Sequence, residues 1–470
     1  MTPQTILAIF FFFALINISS GKLIGLIQFI RHGARTPLDF FEAFKNDFLP
    51  FKKGELTKEG FTMAHEKGES MRNEYSNFKS SNSEIQGNFV DEIEKNQNLI
   101  KVFSSPIQRT ILTSLAYLNG FFPKFQPNYE KGGEKINLDS LMQDRYSANN
   151  EKRFLDSDVV TTGQNKNLPV KVFDSNHQFV YKPRCLVVKN SNEIKKYKKI
   201  ILSDEEYKFL LEFKSHYPNL FKEYCEYMKK RNPSFLYECP EIIYKKEIFL
   251  EKIAGALHSI DFHKKKNIDP ELKKLSYVSY IKLHYETLND EKAKVEGTNH
   301  MRYIKSFLSN INNCDSTDLS QTEISQINPD EVNKKIINSI EKEVHCRKYV
   351  LFSLHDDNLY AIIRSLFDVN EDINNLIEHY QDYTYEKIRD SLNFYWPPYI
   401  SDISFQLHSY DDTNEEYVRI FYNGNEMKNM KYFKVDNKDI SYTDKGILLG
   451  IFSNYLESRI ANKIELLNKC

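Results

Sequence analysis

Lys22 to Ile30 reads KLIGLIQFI, a short apolar run of the kind that forms a strand buried on both faces of a parallel sheet. It passes without a spacer into Arg31-His32-Gly33-Ala34-Arg35-Thr36-Pro37. An apolar strand that ends in two guanidiniums and an imidazole constrains the fold, because ligands of open α/β sheets bind at the carboxyl ends of the strands. Arg31 and Arg35 each present a planar fork of donors that can grip two oxygens of a phosphate, which lysine cannot do. Gly33, without a Cβ, lets the backbone approach an oxyanion closely. Thr36 and Pro37 read as a helix start, a hydroxyl N-cap followed by proline at the first helical position, and such a start also favours an anion. His32 lies between the arginines and, when its ring is neutral, can attack phosphorus. On its own the heptapeptide would also suit a basic surface loop with a solvated histidine.

Two later stretches repeat the pattern. Leu99 to Phe103 runs into Ser104-Ser105-Pro106-Ile107-Gln108-Arg109-Thr110, and Ile111, Leu112, Leu115, Ala116 and Leu118 then give a helical apolar face. Tyr349 to Leu354 runs into His355-Asp356-Asp357-Asn358, followed by a second apolar helix from Leu359 to Phe367. Arg109 thus sits near a strand end and a helix start, and a histidine shares a strand end with a carboxyl group. An aspartate in that position also suits a helix N-cap.

The three segments together resemble the histidine acid phosphatase family, the branch with the prostatic and lysosomal acid phosphatases and, more distantly, the fungal phytases. Arg31-His32-Gly33-Ala34-Arg35-Thr36-Pro37 stands as its RHGxRTP signature and His355-Asp356 as its HD motif. Gly54-Glu55-Leu56-Thr57 with Gly60 and Gly68 resembles the helix after the first loop. Ser104, Ser105, Arg109 and Thr110 resemble the S-T-x-x-x-R-T segment, and Pro397-Pro398-Tyr399, Ser404 to Leu407 and Tyr417 to Tyr422 the closing strands. The sequence departs from the family at Pro106 and Phe103, where many relatives carry Asp and Arg, and at Asp357, a frequent Thr.

The resemblance implies a phosphate monoester hydrolase of the acid phosphatase type. His32 would be the nucleophile, forming a phosphohistidine, and Asp356 the proton donor to the leaving alcohol, with Asp357 a weaker rival. Arg31, Arg35, Arg109 and His355 would hold the nonbridging oxygens. Phosphoryl transfer is mostly positioning and charge stabilisation, so three guanidiniums can replace metal ions, and neither a metal nor another cofactor is called for. A phosphate beside Asp356 should raise its pKa, giving highest activity in acid. Other readings are a noncatalytic phosphoryl-binding relative, a mutase of the wider superfamily, and a phytase or lysophospholipid-phosphate phosphatase. The substrate, a small phosphate monoester or a phosphoprotein, is not written in the sequence.

The expected fold is α/β, a three-layer, mainly parallel sheet flanked by helices with an inserted helical cap. Residues 22–183 and 332–470 would form the core and 184–331 the cap, in which Asp204 to Lys229 and Lys246 to His258 show helical spacing. Pro, Asn and Gly between Gln126 and Pro169 suggest long loops. A chain of 470 residues with 41% hydrophobic content can bury a large core, and 64 basic against 65 acidic residues argues against a nucleic-acid partner. Residues 1–21 read as a signal peptide, because Ile6 to Ile18 is too short for a membrane span and is followed by Ser19-Ser20-Gly21. A secreted or lysosomal protein without a stable membrane span is expected, with a homodimer left open. Cys185, Cys225, Cys239, Cys314, Cys346 and Cys470 suit an oxidising compartment and allow fifteen pairings. The family resemblance links Cys185 to the carboxyl-terminal region, which points to Cys470. The twelve histidines are scattered without metal-site spacing, and His258 and His263 read as ordinary polar residues.

Overall fold

The computed structural model describes residues 21–38, 44–80, 87–131, 134–137, 166–173, 246–264, 267–287, 290–311, 340–345, 347–367, 382–392, 396–410, 415–428, 434–435 and 438–460, together with residues 214, 215, 218, 222 and 379. The proposed signal peptide, all six cysteines and most of Asp204 to Lys229 lie outside the described residues.

One mixed sheet organises the chain. Its strands are β1 (Lys22–Arg31), β2 (Ile100–Ser104), β3 (Phe125–Lys131), β4 (Glu134–Asn137), β5 (Lys166–Val172), β6 (Tyr349–Leu354), β7 (Asp402–Ser409) and β8 (Glu416–Tyr422). Their spatial order is β8-β7-β1-β6-β2-β5-β3-β4, with Ile447–Leu448 pairing outside β8. The five strands β1, β6, β2, β5 and β3 run parallel, and β7, β8 and β4 are antiparallel additions at the two sides. The stretch expected as loops between Gln126 and Pro169 therefore carries strand at both ends, because pairing with β2 extends the sheet through a polar sequence.

Both sheet faces are covered. Helices α1 (Lys58–Tyr75), α2 (Phe89–Lys95) and α3 (Gln108–Phe121) close one side. Leu26 and Ile30 of β1 with Tyr349 and Leu351 of β6 join that core. On the other face Ile27, Phe29, Val350, Phe352 and Leu354 meet helices α4 (Lys246–Phe262), α5 (Pro270–Thr287), α6 (Asp290–Asn310), α7 (Asp356–Leu366), α8 (Tyr385–Leu392) and α9 (Leu449–Arg459). The alternation of β1 between two cores is what an apolar run without polar positions requires. Helix α6, within the bounds expected for the insertion, lies on the sheet: a Cβ on Gly25 of β1 would strike Phe307 and Ile311 at its end. Helices α4 and α5 pack on each other, and α5 packs on α8.

The register of the sheet assembles the three motifs. Arg31 is level with Leu354, and Ser104 is level with Ser353, so β1, β6 and β2 end side by side. Strand β7 runs the opposite way with Asp402 level with Ile30, so the segment leading into it arrives at the same edge.

Candidate active site

His32 follows β1 and is 1% exposed. Its Nδ1 lies 2.8 Å from the Gly33 carbonyl, which can only accept, so the ring proton sits on Nδ1 and Nε2 keeps its lone pair. Burial, then the charges of Arg109 and Arg31, then His355 and Arg35, push its pKa well below the ordinary histidine value. The ring is therefore neutral and pre-aimed through mildly acidic pH. Beside it stands His355, with ring centroids 5.4 Å apart and planes at 70°.

Gly33 serves a different purpose from the one its sequence context suggests. A Cβ there would lie 2.2 Å from the Gly60 carbonyl oxygen, and one on Gly60 would lie 2.0 Å from that of Ala34. The Gly33 N–H is donated to Thr113 Oγ1 at 2.9 Å. The missing side chain thus lets helix α1 seat against the loop, and the amide is spent on helix α3. Thr36 and Pro37 themselves, like residue 38, are non-helical. The Thr36 hydroxyl donates to the Lys52 carbonyl at 2.6 Å and accepts the Glu55 N–H at 3.2 Å, closing the loop on itself. Thr57 is the residue that caps a helix, accepting the Gly60 N–H at 3.2 Å at the start of α1.

Three guanidiniums surround the imidazole. Arg31 is 1% exposed; it donates to the Pro397 carbonyl, meets Asp356 Oδ2 at 2.9 Å, and lies 4.5 Å above the Tyr399 ring centroid. Arg35 is 7% exposed and donates to the Thr36 carbonyl at 2.9 Å. Arg109 reaches the Gly54 carbonyl and His355 Nδ1, both at 3.4 Å. Burial and the neighbouring Arg35 lower its pKa to about 9, so it stays charged in acid. Because Arg109 can only donate, His355 accepts at Nδ1 and donates its Nε2–H to Ser105 Oγ at 2.9 Å, with Thr110 Oγ1 2.6 Å further on.

Asp356 opens helix α7, while His355 occupies the N-cap position and Asn358 Oδ1 accepts its N–H at 3.2 Å. The N-cap reading of Asp356 is thereby replaced. Burial alone would raise its pKa, but Arg31, Arg35, His355 and the Trp396 indole N–H, 3.3 Å from Oδ2, together hold it well below the usual carboxylate range. Asp357 accepts the Asn358 N–H at Oδ1, 3.1 Å, and its charge also acts on Arg109. The six residues singled out from sequence, Arg31, His32, Arg35, Arg109, His355 and Asp356, are brought to one edge of the sheet.

In the sequence Pro397-Pro398-Tyr399 reads as part of the closing strand region, and nothing there gives the segment from Trp396 to Ser401 a role at the site. Trp396 holds Asp356, Pro397 holds Arg31, Tyr399 lies under Arg31, and Ser401 accepts the Arg31 backbone N–H at 2.8 Å. Ile400 adopts φ +60°, a costly left-handed conformation for a β-branched residue, and donates its N–H to the His32 carbonyl at 3.3 Å. His258 and His263, read as ordinary, also border the loop. His263 is 2.9 Å from Thr57 Oγ1, and between them on α4 the Ser259 hydroxyl donates to the Arg35 carbonyl at 2.6 Å. Their only sequence signal is a pair of histidines on a helix far from the motifs. Among the described residues no cluster of His, Cys, Asp and Glu could hold a metal ion, and no helix is long and apolar enough to cross a membrane.

A three-layer α/β sheet whose strand ends carry a neutral histidine inside a ring of guanidiniums, with a carboxylate at the rim, defines a histidine-centred phosphoryl site. The family model described as histidine phosphatase superfamily (branch 2) matches residues 22–423, and the chain belongs to that superfamily. Solved structures similar to it include the phytase from Citrobacter braakii, at 12% identity and TM-score 0.47, covering 95% of this chain and 100% of that one. The apo form of Hafnia alvei phytase gives 10%, 0.47, 94% and 98%. Bifidobacterium longum multiple inositol polyphosphate phosphatase in complex with inositol hexasulfate gives 11%, 0.44, 95% and 94%. No curated protein matches the chain.

Proposed function

We propose that the protein is a phosphate monoester hydrolase of the acid phosphatase type, working through a phosphohistidine at His32. The observation that carries this reading is the fixed His32 tautomer, with Nδ1–H on the Gly33 carbonyl and Nε2 free among Arg31, Arg35 and Arg109. In the first step Nε2 bonds to phosphorus as the bond to the ester oxygen breaks, and Asp356 gives that oxygen a proton. In the second step water attacks phosphorus, the N–P bond breaks, and Asp356 takes the water's proton. The guanidiniums hold the nonbridging oxygens throughout, supplying charge that metal ions supply in other phosphatases, while His355 accepts from Arg109 and orients it.

The depressed pKa of Asp356 sets where the first proton comes from. With Arg31 at 2.9 Å the free enzyme carries Asp356 ionised, so the acid forms when the substrate arrives as a monoanion and passes its proton to the carboxylate. The bound phosphoryl group then takes over Arg31. This gives an enzyme of acidic surroundings, consistent with a secreted or lysosomal location. The test is rapid acid-free quenching of turnover with a labelled ester. Label should be held on the wild-type protein in an acid-labile, base-stable linkage and be absent from His32→Ala, and turnover without such an adduct would refute the scheme.

A further inference from the structure

Of the three guanidiniums, Arg109 is the most loosely tethered. Arg31 is held by a carboxylate, a carbonyl and an aromatic face, and Arg35 by a carbonyl at 2.9 Å, whereas Arg109 has two contacts at 3.4 Å. One of those contacts is His355 Nδ1. A neutral imidazole accepts at one nitrogen only, so the contact exists for one tautomer and turns repulsive for the other, which faces the guanidinium with a further N–H. Whatever fixes the His355 proton therefore aims Arg109.

A line of buried hydroxyls fixes it. The Thr110 hydroxyl, in the first turn of α3, lies 2.7 Å from the Ile107 carbonyl and 3.0 Å from that of Ser105. Both carbonyls can only accept, so the single Thr110 proton goes to one of them and Thr110 Oγ1 is left as an acceptor. Ser105 Oγ, just beyond β2, stands 2.6 Å away and donates its own proton there. Its lone pair then accepts the His355 Nε2–H at 2.9 Å, and Nδ1 stays open to Arg109. The two ends of the line require the same tautomer, one because a carbonyl cannot donate and the other because a guanidinium cannot accept. The line is also anchored on the sheet. The Ser353 hydroxyl of β6 donates to the Thr110 carbonyl at 2.8 Å, and the Ser353 carbonyl accepts the Ser105 N–H at 3.2 Å. Ser105 and Thr110 are fully buried, so water does not compete for either hydroxyl.

We propose that Ser105 and Thr110 are positioning residues: they lock His355 in its Nε2–H tautomer, and the locked ring directs the Arg109 guanidinium at the nonbridging oxygens of the phosphoryl group. What Arg109 grips rests on the hydrolase reading, whereas the tautomer does not. A histidine in the wrong tautomer can remove most of a site's activity while the surrounding geometry stays intact. A misplacement of about 1 Å in a group that positions substrate can likewise cost on the order of 100-fold. Both hydroxyls act through the ring, since neither is exposed to a substrate.

Nitrogen-15 NMR of the full chain labelled at histidine, with His355→Gln identifying the ring signals, reads the tautomer directly at neutral pH. In the wild type Nδ1 should show the shift of a bare ring nitrogen and Nε2 that of a protonated one. In Ser105→Ala the two shifts should converge or exchange. Thr110→Val should do the same although Thr110 makes no hydrogen bond to the ring, because Ser105 loses the acceptor for its proton and turns it toward Nε2. Ser105→Thr, which keeps the hydroxyl, should retain the wild-type pattern. Calorimetric binding of inorganic phosphate to His32→Ala protein tests the link to Arg109 without turnover, so it is read equally well if the phosphohistidine scheme fails. Ser105→Ala should weaken that binding about tenfold where Arg109 is present and less than about twofold in an Arg109→Ala background, since residues that act through one another are not additive. If Ser105→Ala does not fold, Thr110→Val carries both measurements. A wild-type proton on Nδ1, shifts that stay in place in the hydroxyl variants, or an equal loss of phosphate affinity with and without Arg109 overturns the proposal.

Discussion

Replacing Asp356 by asparagine should move binding and turnover in opposite directions. Asparagine keeps the size of the side chain but removes the charge that faces Arg31 at 2.9 Å and the proton that the leaving alcohol needs. A carboxylate about 5 Å from a phosphoryl oxygen repels it by ~3 kcal/mol at an effective dielectric of ~20. The Asp356 side chain is 23% exposed, and solvent screening leaves part of this, so inorganic phosphate should inhibit the variant about tenfold more tightly. Loss of a general acid costs about 100- to 10,000-fold in turnover. The loss should be largest for alkyl esters, whose alcohols leave only when protonated, and smallest for nitrophenyl phosphate, whose phenolate leaves unaided. The assay is steady-state kinetics on the two ester types with phosphate as competitive inhibitor. An equal fall for both esters, or weaker phosphate binding, would refute the assignment of Asp356 as an ionised group that becomes the acid.

Three further outcomes follow from the same geometry. The high-pH fall in kcat/KM should track the second ionisation of the substrate, near 6 for an ordinary phosphate ester, while the low-pH fall should be displaced below the usual histidine range because His32 is held neutral by burial and cations. Profiles of two esters with different second ionisations check this, and a high-pH limb fixed at one value for both would contradict it. Gly33→Ala should lose about 3 kcal/mol of stability or more, read as a lower urea midpoint, because the new Cβ would sit 2.2 Å from a backbone oxygen that belongs to helix α1. Arg109→Lys should lower kcat/KM by about 100- to 1000-fold with the fold intact by circular dichroism, since the planar fork that reaches both His355 and Gly54 is lost while the charge remains.

The fold was legible where it is written in runs of apolar residues. β1, β2 and β6 are buried on both faces and end in motif residues, so their sequences alone placed three loops at one sheet edge. β3 and β5 were not legible, because FQPNYEK and KNLPVKV have little apolar character and become strands by adding to an existing edge. The six candidate site residues were readable for the same reason as the strands that carry them. What surrounds them was not. Gly33 looked like an anion contact because its sequence neighbours are cationic, whereas its real neighbour, Gly60, lies on a helix 27 residues further along. The clamp from Trp396 to Ser401 meets Arg31 across 366 residues of chain, and Ser259 meets Arg35 across 224. Contacts of that separation leave no local periodicity to read.

The unsatisfied groups at this edge show what the fold supports there. The Nε atoms of Arg31, Arg35 and Arg109, with Tyr399 OH and Ser401 Oγ, are all buried without a protein partner, and all belong to the cradle or the segment that clamps it. Ile400, at φ +60°, adds backbone strain in the same place. Collecting three guanidiniums beside Asp356 and Asp357 is likewise unfavourable in a buried setting. None of these arrangements would persist on a mobile loop, because each could relax outward into water. They persist because the loop after β1 is held from both sides of the sheet: by Gly60 and Thr113 from the α1 and α3 layer, and by Ser259 from α4. Local conflict that is over-determined by the surrounding packing is the mark of a preorganised site. In such a site the cost of assembling the charge is met during folding, and the phosphoryl group that arrives needs no reorganisation to be stabilised.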